Sequence, residues 1–217
     1  MKSSFKGILF GAMFGVVALV PAHASLLFNI KCTAPGTCGS TVGTITLSQI
    51  DAFTVQVLET VALPNGIVET GTHSALTFDI AADPSITISN LTAGFTVGNT
   101  TSGTFVSNPS FGSYDYSIHC PICGNGSNNP QHSLSFDVQI LGGLTHLSIN
   151  DFISNGNSFF ATDLFANGFT GVWGDDGGGG STQGTPEPVS FVLLGTGLGL
   201  LGLTRTISNR RRLSAQK

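Results

Sequence analysis

Four cysteines are spaced in ways that allow three kinds of chemistry. Cys120 and Cys123 form a Cys-x-x-Cys pair. Cys32 and Cys38 have five residues between them. The first spacing occurs in thioredoxin-like redox motifs, where a helix N-terminus lowers the pKa of the first thiol. Four cysteines can also bind zinc, usually as two Cys-x-x-Cys-like pairs. In an oxidising compartment, an even number of cysteines indicates two disulfides first of all.

Local pairing is the disulfide prediction that the intervening residues favour. A Pro-Gly dipeptide separates the first two cysteines and Pro121 separates the second two, so tight turns can bring each pair together. We therefore expect the bridges Cys32–Cys38 and Cys120–Cys123. Each closes a small loop and should stabilise less than the roughly 3 kcal/mol of a 15-residue loop. A polar loop, GNGSNNP, follows Cys123 and no βαβ pattern surrounds it, which does not favour redox catalysis. The five residues between Cys32 and Cys38 do not favour a second zinc-binding pair.

Other catalytic patterns are not found in the sequence. It has no Gly-x-Ser-x-Gly elbow, no His-Glu-x-x-His, no phosphate loop and no calcium loop. His73, His132 and His146 lie in turn-like or alternating polar positions typical of surface histidines. A pair of carboxylates for glycoside hydrolysis remains an alternative, because the chain has many acidic residues. No sequence pattern marks two of them as such a pair. We predict no catalytic residue, no metal and no cofactor.

The charge of the region between the two ends of the chain argues against one class of partner. The whole chain has a net charge of −4, but residues 25–185 contain 11 acidic residues and one basic residue, Lys31, for a net charge of −10. A domain this anionic repels nucleic acid and anionic lipid. We therefore expect no nucleic-acid partner.

The same region has the pattern of a single all-β domain. Its 161 residues suffice for one domain, and apolar and polar residues alternate with the period of two that a half-buried strand requires. No stretch shows a 3.6-residue apolar repeat, so we predict an antiparallel β-sandwich-like domain over 25–174, with an open or flattened barrel as the alternative. The clearest alternating runs begin at Phe53, Leu76, Ile86 and Leu134.

Two further segments of this region have a distinct composition. The stretch 158–174 is rich in aromatics, which we interpret as core-closing side chains rather than as an exposed ligand platform. Residues 175–184, DDGGGGSTQG, have the composition of a flexible linker. The aromatic and large apolar residues of the first segment are Phe159, Phe160, Leu164, Phe165, Phe169 and Trp173.

The N-terminus has the three parts of a secretory signal peptide. Two lysines form a basic start, residues 8–20 are apolar, and Ala22-His23-Ala24 is an A-x-A cleavage site. We predict a signal peptide over 1–24 and a mature protein that begins at Ser25, produced by signal peptidase and the export machinery. The apolar run is too short to make an uncleaved anchor the better interpretation.

The C-terminus combines a triplet, a short apolar span and a basic cluster. Residues 189–203 carry no charge and reach roughly 22 Å as a helix, short of a hydrocarbon core of about 30 Å. A helix over 189–207 suits a transient membrane anchor, with arginines on the cytoplasmic side. A permanent anchor is the alternative, and residues 213–217 form a short tail. The triplet is Pro186, Glu187 and Pro188, and the arginines are Arg205, Arg210, Arg211 and Arg212.

This order of features resembles the PEP-CTERM sorting signal of Gram-negative bacteria, also described as an ice-binding protein C-terminal domain. The resemblance covers residues 185–212. In that family an exosortase, a membrane transpeptidase-like enzyme, recognises the triplet and cuts near it. The resemblance implies that Pro186, Glu187 and Pro188 are recognition residues. It also implies export across the inner membrane, transient anchoring there, and transfer to the cell surface or the medium.

Two classes of function follow from these features. The favoured one is a non-enzymatic surface or extracellular protein, sorted by an exosortase, with extracellular polysaccharide or a biofilm matrix as its setting. The alternative is a secreted hydrolase, for example one acting on glycans, whose active site has no recognisable motif.

Overall fold

Alternating apolar residues become inward-facing side chains of antiparallel strands. The computed structural model describes residues 24–101, 105–124, 129–141 and 146–183, which lie within the compact unit His23–Thr185. In β3 (Thr54–Val61), the pattern is explicit, because Val55, Val57 and Val61 are buried whereas Leu58 is exposed. The prediction of an all-β antiparallel domain is confirmed.

Fifteen strands and one short 3-10 helix are present in the ranges described. The helix is Ile149–Asp151, and Ser148 caps its N-terminus. The other strands are β1 Ser25–Ala34, β2 Thr37–Asp51, β4 Gly66–Ile67, β5 Leu76–Ile80, β6 Ile86–Ser89, β7 Thr96–Val97, β8 Val106–Asn108, β9 Gly112–Tyr114, β10 Tyr116–His119, β11 Ser133–Ile140, β12 Phe152–Ile153, β13 Phe160–Ala166, β14 Phe169–Gly174 and β15 Ser181–Gln183.

One continuous sheet contains all of these strands except β8 and β9. Its order is β6-β11-β3-β2-β1-β14-β13-β5-β10-β7, and β12, β15 and β4 pair with β5, β1 and β13 respectively. Every pairing is antiparallel. The sequence predicts two packed sheets, but the structure has a single sheet that curves round on itself. The alternative of an open barrel therefore describes it better.

The curvature brings distant parts of the sheet into contact. Phe78 of β5 and Phe136 of β11 lie six strands apart along the sheet, yet their ring centroids are 5.8 Å apart. Near the two ends of the sheet, the Ile86 amide donates to the Thr100 carbonyl at 3.3 Å. The sheet is thus a nearly closed barrel around one large apolar core.

A second, smaller core covers part of the outer face. The β8–β9 hairpin places Phe111 and Tyr114 against Cys32, Ala161 and Val172, which point away from the barrel interior. Burial of the outer face explains why the polar positions of β5 are buried as well as its apolar ones. The buried side chain of Asn108 contributes here, donating to the Thr77 hydroxyl at 2.9 Å and to the Ala161 carbonyl at 3.2 Å.

The segment predicted as a flexible linker lies against the domain as far as Gln183. The buried Asp175 carboxylate accepts from the amides of Phe159, Phe160 and Gly177 at 2.8–2.9 Å. Further along, β15 pairs with the start of β1, with Ser25 opposite Gln183. The segment 175–183 is therefore not a free linker. The Asp175 carboxylate is bonded to three backbone amides, and residues 181–183 form a strand that pairs with β1.

Several predicted features lie outside the described residues. They are Ala22, most of the signal peptide, the triplet Pro186-Glu187-Pro188, the helix 189–207, and the arginines Arg205, Arg210, Arg211 and Arg212. In the ranges that the structure covers, there is no helix that could span a bilayer. Of the predicted cleavage residues, Ala24 is described and is exposed, and Ser25 begins β1.

Candidate functional site

The structure pairs the cysteines locally, as predicted. Cys32 is bonded to Cys38, with Cα atoms 3.9 Å apart, and Cys120 to Cys123, with Cα atoms 5.3 Å apart. The first bridge joins β1 to β2, and the second closes a turn after β10 in which the Cys123 amide donates to the Cys120 carbonyl at 3.0 Å. Cys32, Cys120 and Cys123 are buried. No free thiol is left to act as a zinc ligand.

Glu69 connects the second disulfide to a loop that precedes β5. One of its carboxylate oxygens lies 2.9 Å from Nδ1 of His119, and the other accepts from the Cys120 amide. This histidine adjoins the disulfide in sequence, but its ring contacts a carboxylate that also binds a backbone amide. We interpret the contact as one that holds the turn in place.

Asp163, His73 and Thr70 come together without forming a catalytic triad. In a triad, one imidazole nitrogen faces the nucleophile and the other faces the carboxylate. Here the Thr70 hydroxyl and the Asp163 carboxylate both approach the same nitrogen, Nδ1 of His73, at 3.5 Å. The Thr70 hydroxyl and amide donate to Asp163 at 2.6 Å and 2.5 Å. Burial raises the pKa of Asp163, while the hydrogen bonds from Thr70 lower it. The group fixes the loop 68–75 to β13.

The remaining predicted histidines lie elsewhere. The His132 carbonyl accepts from the Val61 amide at 3.0 Å, which joins the start of β11 to the end of β3. His146 precedes the 3-10 helix. Of the described histidines, His73 contacts Asp163 and His119 contacts Glu69, so these two side chains have different carboxylate partners.

Asp79 and Asp115 are two buried acids in contact, as the carboxylate pair of a hydrolase would be. Burial raises the pKa of Asp79 to about 6, and the amide of Asp115, which donates to it at 2.6 Å, acts in the opposite direction. Asp79 lies in β5, and Asp115 lies between β9 and β10. The hydrogen bond between them fixes the backbone where β10 begins. In the described part of the chain, no group of three or more His, Cys, Asp or Glu side chains is placed to hold a metal ion.

Glu59 is a carboxyl group inside the barrel that sequence reasoning missed. It is fully buried on the inward face of β3, opposite Ile45 of β2 and Leu134 of β11. Desolvation raises its pKa to about 8, so the carboxyl is mostly protonated at neutral pH. Neither oxygen has a hydrogen-bond partner among the residues described. The nearby Thr162 hydroxyl lowers this pKa but by less than burial raises it, and it donates its own hydrogen bond to the Ala75 carbonyl at 2.7 Å.

A pocket of about 280 Å³ opens where the β1–β2 hairpin meets the β13–β14 hairpin. Its lining combines aromatic rings with hydroxyl, amide and ammonium groups, and the Glu69, Asp163 and Asp79 contacts do not have this combination. Its lining residues are Lys31, Thr33, Thr37, Cys38, Gly39, Ser40, Asn167, Phe169 and Trp173.

Two aromatic rings form one wall of this pocket. Phe169 and Trp173 stack with centroids 5.7 Å apart at an interplanar angle of 23°. Because they lie four residues apart on β14, both side chains point to the same face of the strand. Trp173 is 3% exposed and belongs to the core, whereas Phe169 is 49% exposed. The prediction of core-closing aromatics therefore describes Phe160, Leu164 and Trp173, but it is wrong for Phe169.

Charge at the pocket is balanced by an ion pair. The Lys31 ammonium lies 2.6 Å from the Asp176 carboxylate, and this contact lowers the pKa of Asp176. The indole N–H of Trp173 is buried and has no hydrogen-bond partner within the described chain. A buried donor of this kind requires an explanation, such as water or a ligand.

A comparison of the chain with protein-family models, with curated proteins and with solved structures finds no match.

Proposed function

We propose that this chain is an exported, non-enzymatic protein of the cell surface or extracellular matrix, sorted through its C-terminal tail by an exosortase. The observation that carries the proposal is the extent of the folded domain. Its first strand begins at Ser25, the predicted first residue of the mature protein, and the compact unit that contains it runs from His23 to Thr185, next to Pro186. A folded unit therefore fits between the two proposed processing sites.

The disulfides support export in a second way. Both bridges form between cysteines of the exported region, and disulfides persist in oxidising compartments such as the bacterial periplasm and the cell exterior. In this proposal, signal peptidase removes residues 1–24, and the apolar segment 189–207 holds the protein transiently in the inner membrane. The exosortase then acts at the triplet, and the domain reaches the surface or a polysaccharide matrix.

The test is a deletion of residues 186–217 in the native host, with the fate of the protein followed by fractionation and mass spectrometry. We expect the full chain to appear at the surface or in the medium, beginning at Ser25 and cut near the triplet. The deletion variant should lack this distribution. Removal of residues 213–217 alone is the matched control and should leave processing unchanged. Normal surface display or release of the 186–217 deletion would contradict the sorting proposal.

The alternative of a secreted hydrolase rests on the Asp79–Asp115 pair. A glycosidase acid needs a carboxyl of raised pKa next to a second carboxyl on a substrate cleft. Asp79 has the raised pKa, but its oxygen binds the Asp115 amide, and neither residue lines the pocket described above. A loss of glycan hydrolysis in Asp79→Asn, with an unchanged fold, would favour the alternative.

A further inference from the structure

We propose that the pocket between the β1–β2 and β13–β14 hairpins binds one neutral sugar ring of a polysaccharide. As a statement about the matrix partner, this inference rests on the proposed function. As a statement about binding, it rests on the pocket alone. The residues that carry it are Phe169, Trp173, Asn167, Lys31 and Ser40, all of which line the pocket.

The aromatic wall supplies a surface for the apolar face of a sugar ring. Aromatic side chains offer a large rigid contact area, and the C–H groups of a pyranose pack against such a ring face. Phe169 is half exposed and is held from behind by its stack on Trp173. The ring is therefore positioned before any ligand arrives, which lowers the entropic cost of binding.

Polar groups around the wall match the hydroxyls of the same ligand. The side-chain amide of Asn167 and the hydroxyl of Ser40 belong to residues that line the pocket together with the two aromatic rings. Binding pockets combine an apolar lining with a few placed polar groups in this way. A purely hydrocarbon ligand would leave the side chains of Asn167 and Ser40 without hydrogen bonds, whereas the hydroxyls of a sugar can pair with them.

Charge selects a neutral sugar over an acidic one. Lys31 is the one basic residue between Ser25 and Thr185, and Asp176 already neutralises it at 2.6 Å. The surrounding domain carries a net charge of −10, which repels carboxylated or sulfated sugars. The volume of about 280 Å³ is just below the lower end of the roughly 300–1,000 Å³ typical of pockets for drug-sized ligands. The pocket thus suits one ring rather than an extended oligosaccharide.

The test is calorimetric titration of the purified full chain with the methyl glycosides of glucose, galactose and mannose, and with glucuronate. We expect at least one neutral glycoside to bind with a Kd of roughly millimolar order and glucuronate to bind more weakly. Trp173 is the single tryptophan of the chain, so its fluorescence should change with the same saturation curve. A failure of all three neutral glycosides to bind, or tighter binding of glucuronate, overturns the proposal.

Two variants test the contribution of the aromatic ring. Phe169→Ala and Phe169→Leu should each weaken binding about tenfold, the equivalent of about 1.4 kcal/mol, because both lack the stacking face. Phe169→Leu keeps a large apolar side chain, so weaker binding in this variant is not explained by a loss of folded protein. Phe53→Ala is the matched control, since Phe53 is 54% exposed and lies outside the pocket lining. Unchanged affinity in both Phe169 variants contradicts the inference. Sorting of the chain is unaffected by this result, so the two proposals can fail separately.

Discussion

The carboxyl group of Glu59 is opposed by apolar side chains on both neighbouring strands. Ile45 and Leu134 are its cross-strand partners, and both are fully buried. Burial of an ionised carboxylate without partners is too costly, so the group keeps its proton instead. Its protonation makes the stability of the whole barrel depend on pH.

Replacement of Glu59 by glutamine should flatten that pH dependence. The folded-state pKa of about 8 exceeds the ordinary value of 4.5, so the folded state binds the proton more tightly. The resulting stabilisation is complete below the ordinary pKa and is lost as pH rises through about 8, by several kcal/mol at about 1.4 kcal/mol per pKa unit. We expect the free energy of unfolding, measured by urea titration, to fall with pH in the parent chain and much less in Glu59→Gln.

The control for this experiment is Asp51→Asn at the exposed β2–β3 turn. Its carboxyl is exposed and accepts from the Phe53 amide, which lowers its pKa, so the substitution should leave the fall in stability up to about pH 8 intact. Asp79, with a pKa of about 6, contributes to the lower part of the same fall. The diagnostic window therefore lies between about 6 and about 8, the two raised pKa values. An equal fall in Glu59→Gln and the parent chain would contradict the assignment.

Sequence separation decides which residue contacts could be predicted. The cysteine pairs are six and three residues apart, so local turn residues were enough to assign them. The Thr70–Asp163 and Glu69–His119 contacts join residues 93 and 50 positions apart. The pairing of β4 with β13 and of β5 with β10 brings those partners together, and local sequence does not reveal which strands pair. Glu59 gives no signal at all, because a single acid within a strand normally marks the solvent face.

Asp175 shows how an element can be missed when composition alone is considered. Its neighbours are glycines, which predicts flexibility, but Gly177 has a φ of +66°, and a Cβ there would lie 2.8 Å from the Asn157 carbonyl oxygen. This glycine therefore permits a tight turn against the 154–159 loop. The carboxylate of Asp175 then fixes that turn by accepting from three backbone amides.

Substitution of the two adjacent aspartates should give very different results. Asp175→Ala leaves the part-buried amide of Phe159 and the buried amide of Phe160 without the carboxylate, so we expect a loss of about 2–4 kcal/mol in the free energy of unfolding. Asp176→Ala removes a partly exposed ion pair with Lys31 and an exposed hydrogen bond from the Gly178 amide at 3.4 Å, and should cost about 0–1 kcal/mol. Chemical denaturation of both variants measures the difference. Equal losses would show that the turn does not depend on the buried carboxylate.

For the molecule as a whole, the sequence predicts which segments are strands better than it predicts the order of the strands in the sheet. The alternating runs that begin at Phe53, Leu76, Ile86 and Leu134 each contain a strand, because alternation is a local property, although Phe53 itself precedes β3 and is exposed. The neighbours of each strand are not local. β1 lies between β2 and β14, which follow it by a few and by more than a hundred residues respectively. The same alternation is compatible with two sheets or with one curved sheet, and only the packing of the core selects the barrel.

The large core should hold the barrel together when the disulfides are reduced. Each bridge closes a very short loop, for which the loop-entropy relation gives about 2 kcal/mol. Reduction of both under native conditions should therefore lower the unfolding temperature but leave the far-ultraviolet circular dichroism spectrum of strands unchanged. Substitution of all four cysteines by serine is the matched variant. Loss of the strand spectrum in either case would show that the bridges are required for folding.

Ser25 and Gln183 face each other in the β1–β15 ladder, so the two ends of the domain leave the barrel side by side. Tension applied between these two residues would act across that ladder and separate its residue pairs one after another, starting from Ser25–Gln183. Only three pairs, from Ser25–Gln183 to Leu27–Ser181, stand in its path. A force that pulls residues 25 and 183 apart would therefore break the β1–β15 pairing first, because β1 is the only strand among those described that pairs with β15.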